Sequence, residues 1–416
     1  MNKVEIQNAD VMQWAREYDG PKFHSLLADP PYHLSDPRSM RRASPDAGER
    51  EKIVGFMQMK WDGGDIAFNP ETWAALSEHL YPGAFGFAFA SSRGWHRLAV
   101  AIEDAGLIIH PTIFCWAQGA SFPKATRVPD ERFDGHRYGL QSLKNAIEPI
   151  ICFQKPYIGK PVDCITATGA GALNIDGARI GTDGARNNGR KTDSDIYGKL
   201  GAFSKVDYGM GRWPSNFVVD PESARRLDEQ SGISSSPIGL SFRHASENIA
   251  MSGRNTEREL SPNGFGDSGG ASRFFFNFDW NAEVEERLFE ADPVCYCAKA
   301  ARVERNAGCE ATEPREWIDG ACVANRDIRP NRPNGNPHPT VKPIALAKWL
   351  ATLLLPPIEY APRRLLVPFA GVGSECVGAV KAGWEHVTGI EQSAEYAAIA
   401  RHRIRHHGGM FVEVTP

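Results

Sequence analysis

Hydrophobic and polar positions change texture twice along the chain. From 1 to about 158, apolar runs of strand length alternate with stretches of helical composition. Phe23–Ala28 (FHSLLA) is one such run, and it stops at Asp29-Pro30-Pro31-Tyr32. Two prolines cannot continue a central ladder, so a buried strand is predicted to end there with a carboxylate at its C-terminal end. Residues 70–80, opened by Pro70, read as a helix, and 84–90 as a strand after a Pro82-Gly83 turn. A helix over 93–105 is stopped by Gly106, and 107–115 reads as another buried strand. The run 146–153 (AIEPIICF) is a further strand, placed at an edge or read as irregular because of Pro149. Strand and helix in alternation imply a largely parallel sheet covered on both faces.

Between 159 and 335 the pattern dissolves into Gly, Ser, Asn and Arg, with apolar runs only at 216–219 and 274–278. Such a region is either a mobile insertion, above all at 181–210 and 230–270, or a small recognition module. From 336 the periodicity returns: a helix over 344–355, a strand over 364–369, helix 374–382, strand 386–390 and helix 393–404. The expected fold class is therefore α/β, a doubly wound and mostly parallel sheet with a long loop-rich insertion. Its segments are 1–158, 159–335 and 336–416.

Composition adds bounds. The chain has 416 residues, 42% hydrophobic and 24% charged, which excludes a wholly disordered or fibrous protein. Gly (40) and Pro (29) make about a sixth of the positions, so long loops are expected. Apolar runs are too short for a bilayer span of about 20 residues, and 1–13 lacks the apolar stretch of a signal peptide, so a cytoplasmic location is expected. The eight cysteines contain no C-x-x-C pair and read as reduced thiols, with no metal site expected among Cys295, Cys297, Cys309, Cys322 and His338. A net charge of −4 gives no global nucleic-acid footprint, yet 121–215 carries 14 Lys/Arg against 10 Asp/Glu. Lys124, Arg127, Arg186, Arg190, Lys191 and Arg212 are phosphate candidates there, and Arg38, Arg41 and Arg42 form a second cluster just after the tetrapeptide.

Two separated patterns carry chemistry. Phe369-Ala370-Gly371-Val372-Gly373-Ser374 lies between a predicted strand and helix, and Glu391 closes the next strand. A glycine-rich turn lets a ligand approach the backbone, and an acid after the following strand suits ribose hydroxyls. The third glycine of the dinucleotide fingerprint is missing, Cys376 standing in its place, and so is the lysine of a phosphate loop. In an open parallel sheet the strand C-termini face the ligand crevice, which would put Asp29 and the Tyr32 ring where a substrate sits.

These residues resemble the β class of DNA amino-methyltransferases, and especially its phage-type members. Asp29-Pro30-Pro31-Tyr32 looks like the catalytic tetrapeptide, Phe369-x-Gly371-x-Gly373 like the cofactor loop, and 338–343 (HPTVKP) like the segment that holds the cofactor's methionine end. Shorter likenesses at 61–63, 122–124, 148–150, 169–180, 211–214 and 272–275 spread the resemblance over nearly the whole chain. Val367 stands where the family more often has Asp, and Glu375 where it has Thr.

The resemblance implies S-adenosylmethionine as cofactor, held by Asp10, Thr340, Lys342, Phe369, Gly371, Gly373, Ser374 and Glu391. It implies duplex DNA with a flipped target base as partner, a restriction–modification or phage setting, and room for a homodimer. Asp29 and the Pro30 carbonyl would draw the lone pair of an amine out of the ring, Pro31 would hold the turn, and Tyr32 would face the base. An Asp at the first position favours N6 of adenine over N4 of cytosine; a non-catalytic nucleic-acid binder is the rival from another class. Asp10 also reads as an N-cap for the helix after it, and His33 either lines the pocket or is a solvated loop residue.

Overall fold

The computed structural model describes residues 2–34, 62, 64–117, 124–180, 212–235, 239–243, 259–263, 267–277, 302–309, 336, 338, 340–409 and 412–415. Two compact units divide the chain: 1–174 with 278–416, and 175–277.

The first unit is built on a sheet of strands β1 (Asn2–Gln7), β2 (Phe23–Ala28), β3 (Leu80–Phe89), β4 (Ile108–Ala117), β5 (Ile147–Gln154), β6 (Arg364–Val367), β7 (His386–Ile390) and β8 (Val412–Thr415). Their order across the sheet is β4-β5-β3-β2-β6-β7-β1-β8. From β3 to β8 every neighbouring pair is parallel, and β5 alone runs antiparallel to its neighbours β3 and β4. All six residues of β2 are buried, as a central strand covered on both faces requires.

Helices α1 (Val11–Glu17), α2 (Pro70–Glu78) and α3 (Trp95–Asp104) share one apolar core with Ala84, Ala88 and Phe153 of the sheet. On alternate residues Phe87 packs against Phe114 of β4, which meets Trp349 of helix α4 (Ile344–Leu353). Helix α5 (Ser374–Ala382) packs on α4, and helix α6 (Ala394–Gly408) packs on α5. The period-2 alternation of β3 thus sends large side chains to one helical layer and alanines to the other, and the sheet is doubly wound.

Several sequence expectations change. β1 and β8 were not anticipated; β1 offers only the alternating Val4 and Ile6 in a polar stretch, too short a signal to stand alone. β5 is an interior strand despite Pro149. That proline lies just beyond the β3 ladder, whose last pair is Phe89 with Ile150, and its carbonyl accepts from Ala90 N (2.9 Å), so its missing N–H breaks no interior rung. Pro82-Gly83 is an irregularity inside β3 rather than a turn before it. β4 is only partly buried, with Ile108 47% and Ile113 38% exposed. Helix α6 runs on to Gly408. Among the described residues no helix is long and apolar enough to cross a membrane.

The second unit pairs Phe217–Val219 with Phe276–Asn277 in parallel and carries a helix over Pro221–Ser231. Asp220 caps that helix through Ser223 N, and Asp228 accepts from both the N–H and the hydroxyl of Ser272.

Candidate active site

β2 ends because Pro30 and Pro31 cannot extend it, which leaves Asp29 at its C-terminal edge. β6, next to it in the sheet, ends at the Phe369–Ser374 turn, where Gly371 (φ 50°) and Gly373 (φ 80°) take left-handed conformations that a side chain would strain. β7 ends at Glu391. The three edges line one cleft, together with Asp10, Tyr32, His338, Thr340, Lys342, Ser374 and Glu375. Strand C-termini of a parallel sheet open toward a crevice for this reason.

On the β2 side the Lys342 ammonium uses its donors on Asp29 Oδ1 (2.7 Å), Asp29 Oδ2 (2.8 Å) and the Tyr32 hydroxyl (2.9 Å). The Tyr32 hydroxyl in turn donates to Glu148 Oε2 (3.1 Å), which lies 3.9 Å from Lys342 Nζ. The ammonium also sits 4.9 Å from the centre of the Tyr32 ring and 4.9 Å from that of Phe89. Burial alone would pull Lys342 down, but the Asp29 and Glu148 carboxylates outweigh it and hold the ammonium protonated above its ordinary range. Burial pushes Asp29 up, against the pull of Lys342. Burial, reinforced by the Glu148 and Asp29 charges, drives Tyr32 well above the ordinary phenol range.

The β6–β7 side is built from backbone. Glu391 Oε2 accepts from Gly371 N (2.9 Å) and Oε1 from Ser393 N (2.8 Å), which pins the glycine turn to the next strand. Burial raises Glu391 even so, the two N–H groups pulling the other way. Asn8 at the end of β1 ties in by donating to the carbonyls of Glu391 and Gln392. Below the turn the fully buried Arg403 donates to Val372 O (2.6 Å) and to the Ser374 hydroxyl (3.2 Å).

Asp10 Oδ1 accepts from Met12 N and Gln13 N as the cap of α1, and the residue also lines the cleft. His33 is not solvated. It is 1% exposed, has φ 47°, accepts at Nε2 from Ala67 N (3.1 Å) and lies 3.1 Å through Nδ1 from Asp62 O, so its proton sits on Nδ1. His338, buried beside the glycine turn, accepts from Thr340 N at Nδ1, and burial with the nearby Lys342 charge lowers it to about 3, so the ring is neutral.

The cleft therefore collects Asp10, Asp29, Pro30, Pro31, Tyr32, Thr340, Lys342, Phe369, Gly371, Ser374 and Glu391, and Gly373 lies within the same turn. Among the DNA candidates, Arg127 is exposed and pairs with Asp134. Arg212 belongs to the second unit, is 5% exposed and pairs with Asp267 (2.5 Å), so it is not a solvent-facing phosphate contact. Arg38, Arg41, Arg42, Arg186, Arg190 and Lys191 lie outside the described residues, as do Cys295, Cys297, Cys322 and the side chain of Lys124. Glu148 and Glu375 were not anticipated as members of the cleft group. Glu148 had a signal, a single acid inside the apolar run 146–153.

No family model and no curated protein matches the chain. Solved structures to which it is similar include M1.HpyAVI in complex with S-adenosylmethionine (10% identity, 96% of this chain and 98% of that chain covered, TM-score 0.38). Another is TTHA0409 of Thermus thermophilus, provisionally assigned as a DNA modification methylase (12%, 100% and 100%, TM-score 0.39). A third is the cytosine-N4-specific PvuII DNA methyltransferase (11%, 97% and 86%, TM-score 0.40).

Proposed function

We propose that the chain transfers a methyl group from S-adenosylmethionine to the exocyclic N6 of adenine in DNA. One observation carries the reading: Asp29 of the tetrapeptide, at the end of β2, shares a cleft with the glycine turn and Glu391 at the ends of β6 and β7. The charge of the cleft supports it. Asp29, Glu375 and Glu391 line it and Glu148 adjoins, against the single ammonium of Lys342, an excess of acid that favours a cationic ligand. Bound S-adenosylmethionine supplies an electrophilic methyl on a positively charged sulfur.

The residues present fit that ligand. Each Glu391 oxygen takes one backbone N–H and keeps a lone pair for a ribose hydroxyl. Lys342, fully donated among its present partners, would meet a carboxylate by trading one of them. Asp29 accepts hydrogen bonds from the target amine, which shifts its nitrogen toward the tetrahedral form and stabilises the positive charge that develops there. Its carboxyl, raised by burial, then takes the released proton. Pro30 fixes the backbone that aims the adjacent carbonyl at the same amine. Tyr32, its hydroxyl tied at both ends by Lys342 and Glu148, presents a ring of fixed orientation on which an extruded base stacks, returning about 1–3 kcal/mol of the unstacking cost. We place target reading in the 159–335 region. The choice of adenine rests on Asp at the first position of the tetrapeptide.

The test is incubation with tritiated S-adenosylmethionine and mixed-sequence duplex DNA, followed by mass analysis of the nucleosides. N6-methyladenine is the expected product. Label in N4-methylcytosine would correct the base, and label in neither would overturn the reading.

A further inference from the structure

Glu375 is the acid of the cleft that the tetrapeptide and the glycine turn leave unused. It is 3% exposed, lies in the first turn of α5, lines the cleft, and its Oε1 has no hydrogen-bond partner among the described residues. A buried carboxylate oxygen without a donor costs folding free energy, so its retention needs a partner that arrives from outside. No fixed cation nearby hydrogen-bonds that oxygen, although Arg403 Nε and Nη2 are themselves buried without a partner among the described residues. Lys342 spends its donors on Asp29 and Tyr32, and Arg403 reaches Val372 O and the Ser374 hydroxyl through Nη1.

We propose that Glu375 accepts the α-ammonium group of the amino-acid end of S-adenosylmethionine, completing with Lys342 an acid–base pair for that zwitterion. This deepens the functional reading above and rests on it. Position along the cleft selects the ammonium rather than the ribose. Glu391 stands at the end of β7, away from Asp29, and suits the nucleoside half. Glu375 interacts electrostatically with Asp29 and Lys342, so with Glu391 holding the nucleoside half it stands beside the cation that would take the carboxylate of the remaining, amino-acid half. A zwitterion needs one negative and one positive group side by side, and Glu375 and Lys342 are those charges. The carboxyl is held up to about 7 by burial and by the Asp29 charge, with Lys342 opposing, so near neutrality an arriving ammonium drives it to the ionised form.

Titration calorimetry on the full chain with two probes, S-adenosylhomocysteine and its analogue lacking the α-amino group, tests this. The wild type is expected to prefer the amino form by roughly ten- to a hundredfold, as for a hydrogen bond between charged groups. Glu375→Gln should bring the two affinities within about threefold by weakening the amino form alone, and Glu375→Ala repeats the test if the amide variant fails to fold. A preference that survives in the folded variant, or a wild type that binds both probes equally, overturns the proposal while the cofactor reading stands. A wild type that binds neither overturns the cofactor reading and this proposal with it.

Discussion

The two sides of the cleft are made in different ways. The β2 side is a network of side chains drawn from 29–32, 148 and 342, so that Lys342 and Asp29 meet across 313 positions of sequence. On the β6–β7 side the carboxylate contacts are local: Glu391 accepts from Gly371 N and Ser393 N across at most 20 positions, with Asn8 of β1 bracing its carbonyl from afar. A side-chain network concentrates chemistry and fails when one member is lost. A backbone-built pocket recognises shape and degrades by degrees.

Breaking the first side should have the largest effect. Asp29→Asn keeps shape but removes the charge and the proton acceptor, and methyl transfer is expected to fall by about 10³-fold or more while cofactor affinity stays within a few-fold. Turnover near the wild-type level would end the assignment of Asp29. Next comes Lys342→Met, which leaves Asp29 and Glu148 buried without their cation and should cost about 3–5 kcal/mol in denaturant unfolding. A loss below about 1 kcal/mol would show that the network is solvated like a surface pair. Glu391→Ala tests the second side: cofactor affinity measured by calorimetry should weaken by about ten- to a hundredfold, with the rate at saturation little changed. An unaltered dissociation constant would argue that the turn holds itself.

The smallest effect sharpens the contrast through pH. Glu375 holds its proton to about pH 7 when folded, whereas its ordinary value is 4.5. Its contribution to stability is therefore full below about 4.5 and lost as pH rises through 7. His338 has the opposite sign: lowered from 6.5 to about 3, it contributes above 6.5 and loses that contribution as pH falls. Glu375→Gln should accordingly melt a few degrees higher than the wild type at pH 8, with the gap closing by pH 5. A gap that is equal at both pH values would mean that Glu375 is ionised throughout the range.

Local chemistry was legible in the sequence, and long-range convergence only in part. The strand that stops at Asp29, the turn before Ser374 and the acid after β7 each announce themselves through prolines, glycines and a change of period. The meeting of Lys342 and Glu148 on Asp29 and Tyr32 does not, because it depends on which strands neighbour one another. β5 illustrates the difficulty: Pro149 argues for an edge, and only the shortness of β3 at that end makes an interior place tolerable. His33 carries no sequence mark of its left-handed backbone or its burial. The polar brevity of β1 and β8 hid two strands that extend the sheet beyond β7.

Gly378 sits where α5 crosses α4, and a methyl group there would stand 2.6 Å from the backbone of Ala347 and Lys348. One helix begins with Glu375 in its first turn, the other directly after Lys342-Pro343. The missing side chain thus acts as a calliper: it sets how closely the two helices that carry Glu375 and follow Lys342 can approach, so a side chain at this remote crossing would shift one wall of the cleft against the other without altering a residue that lines it.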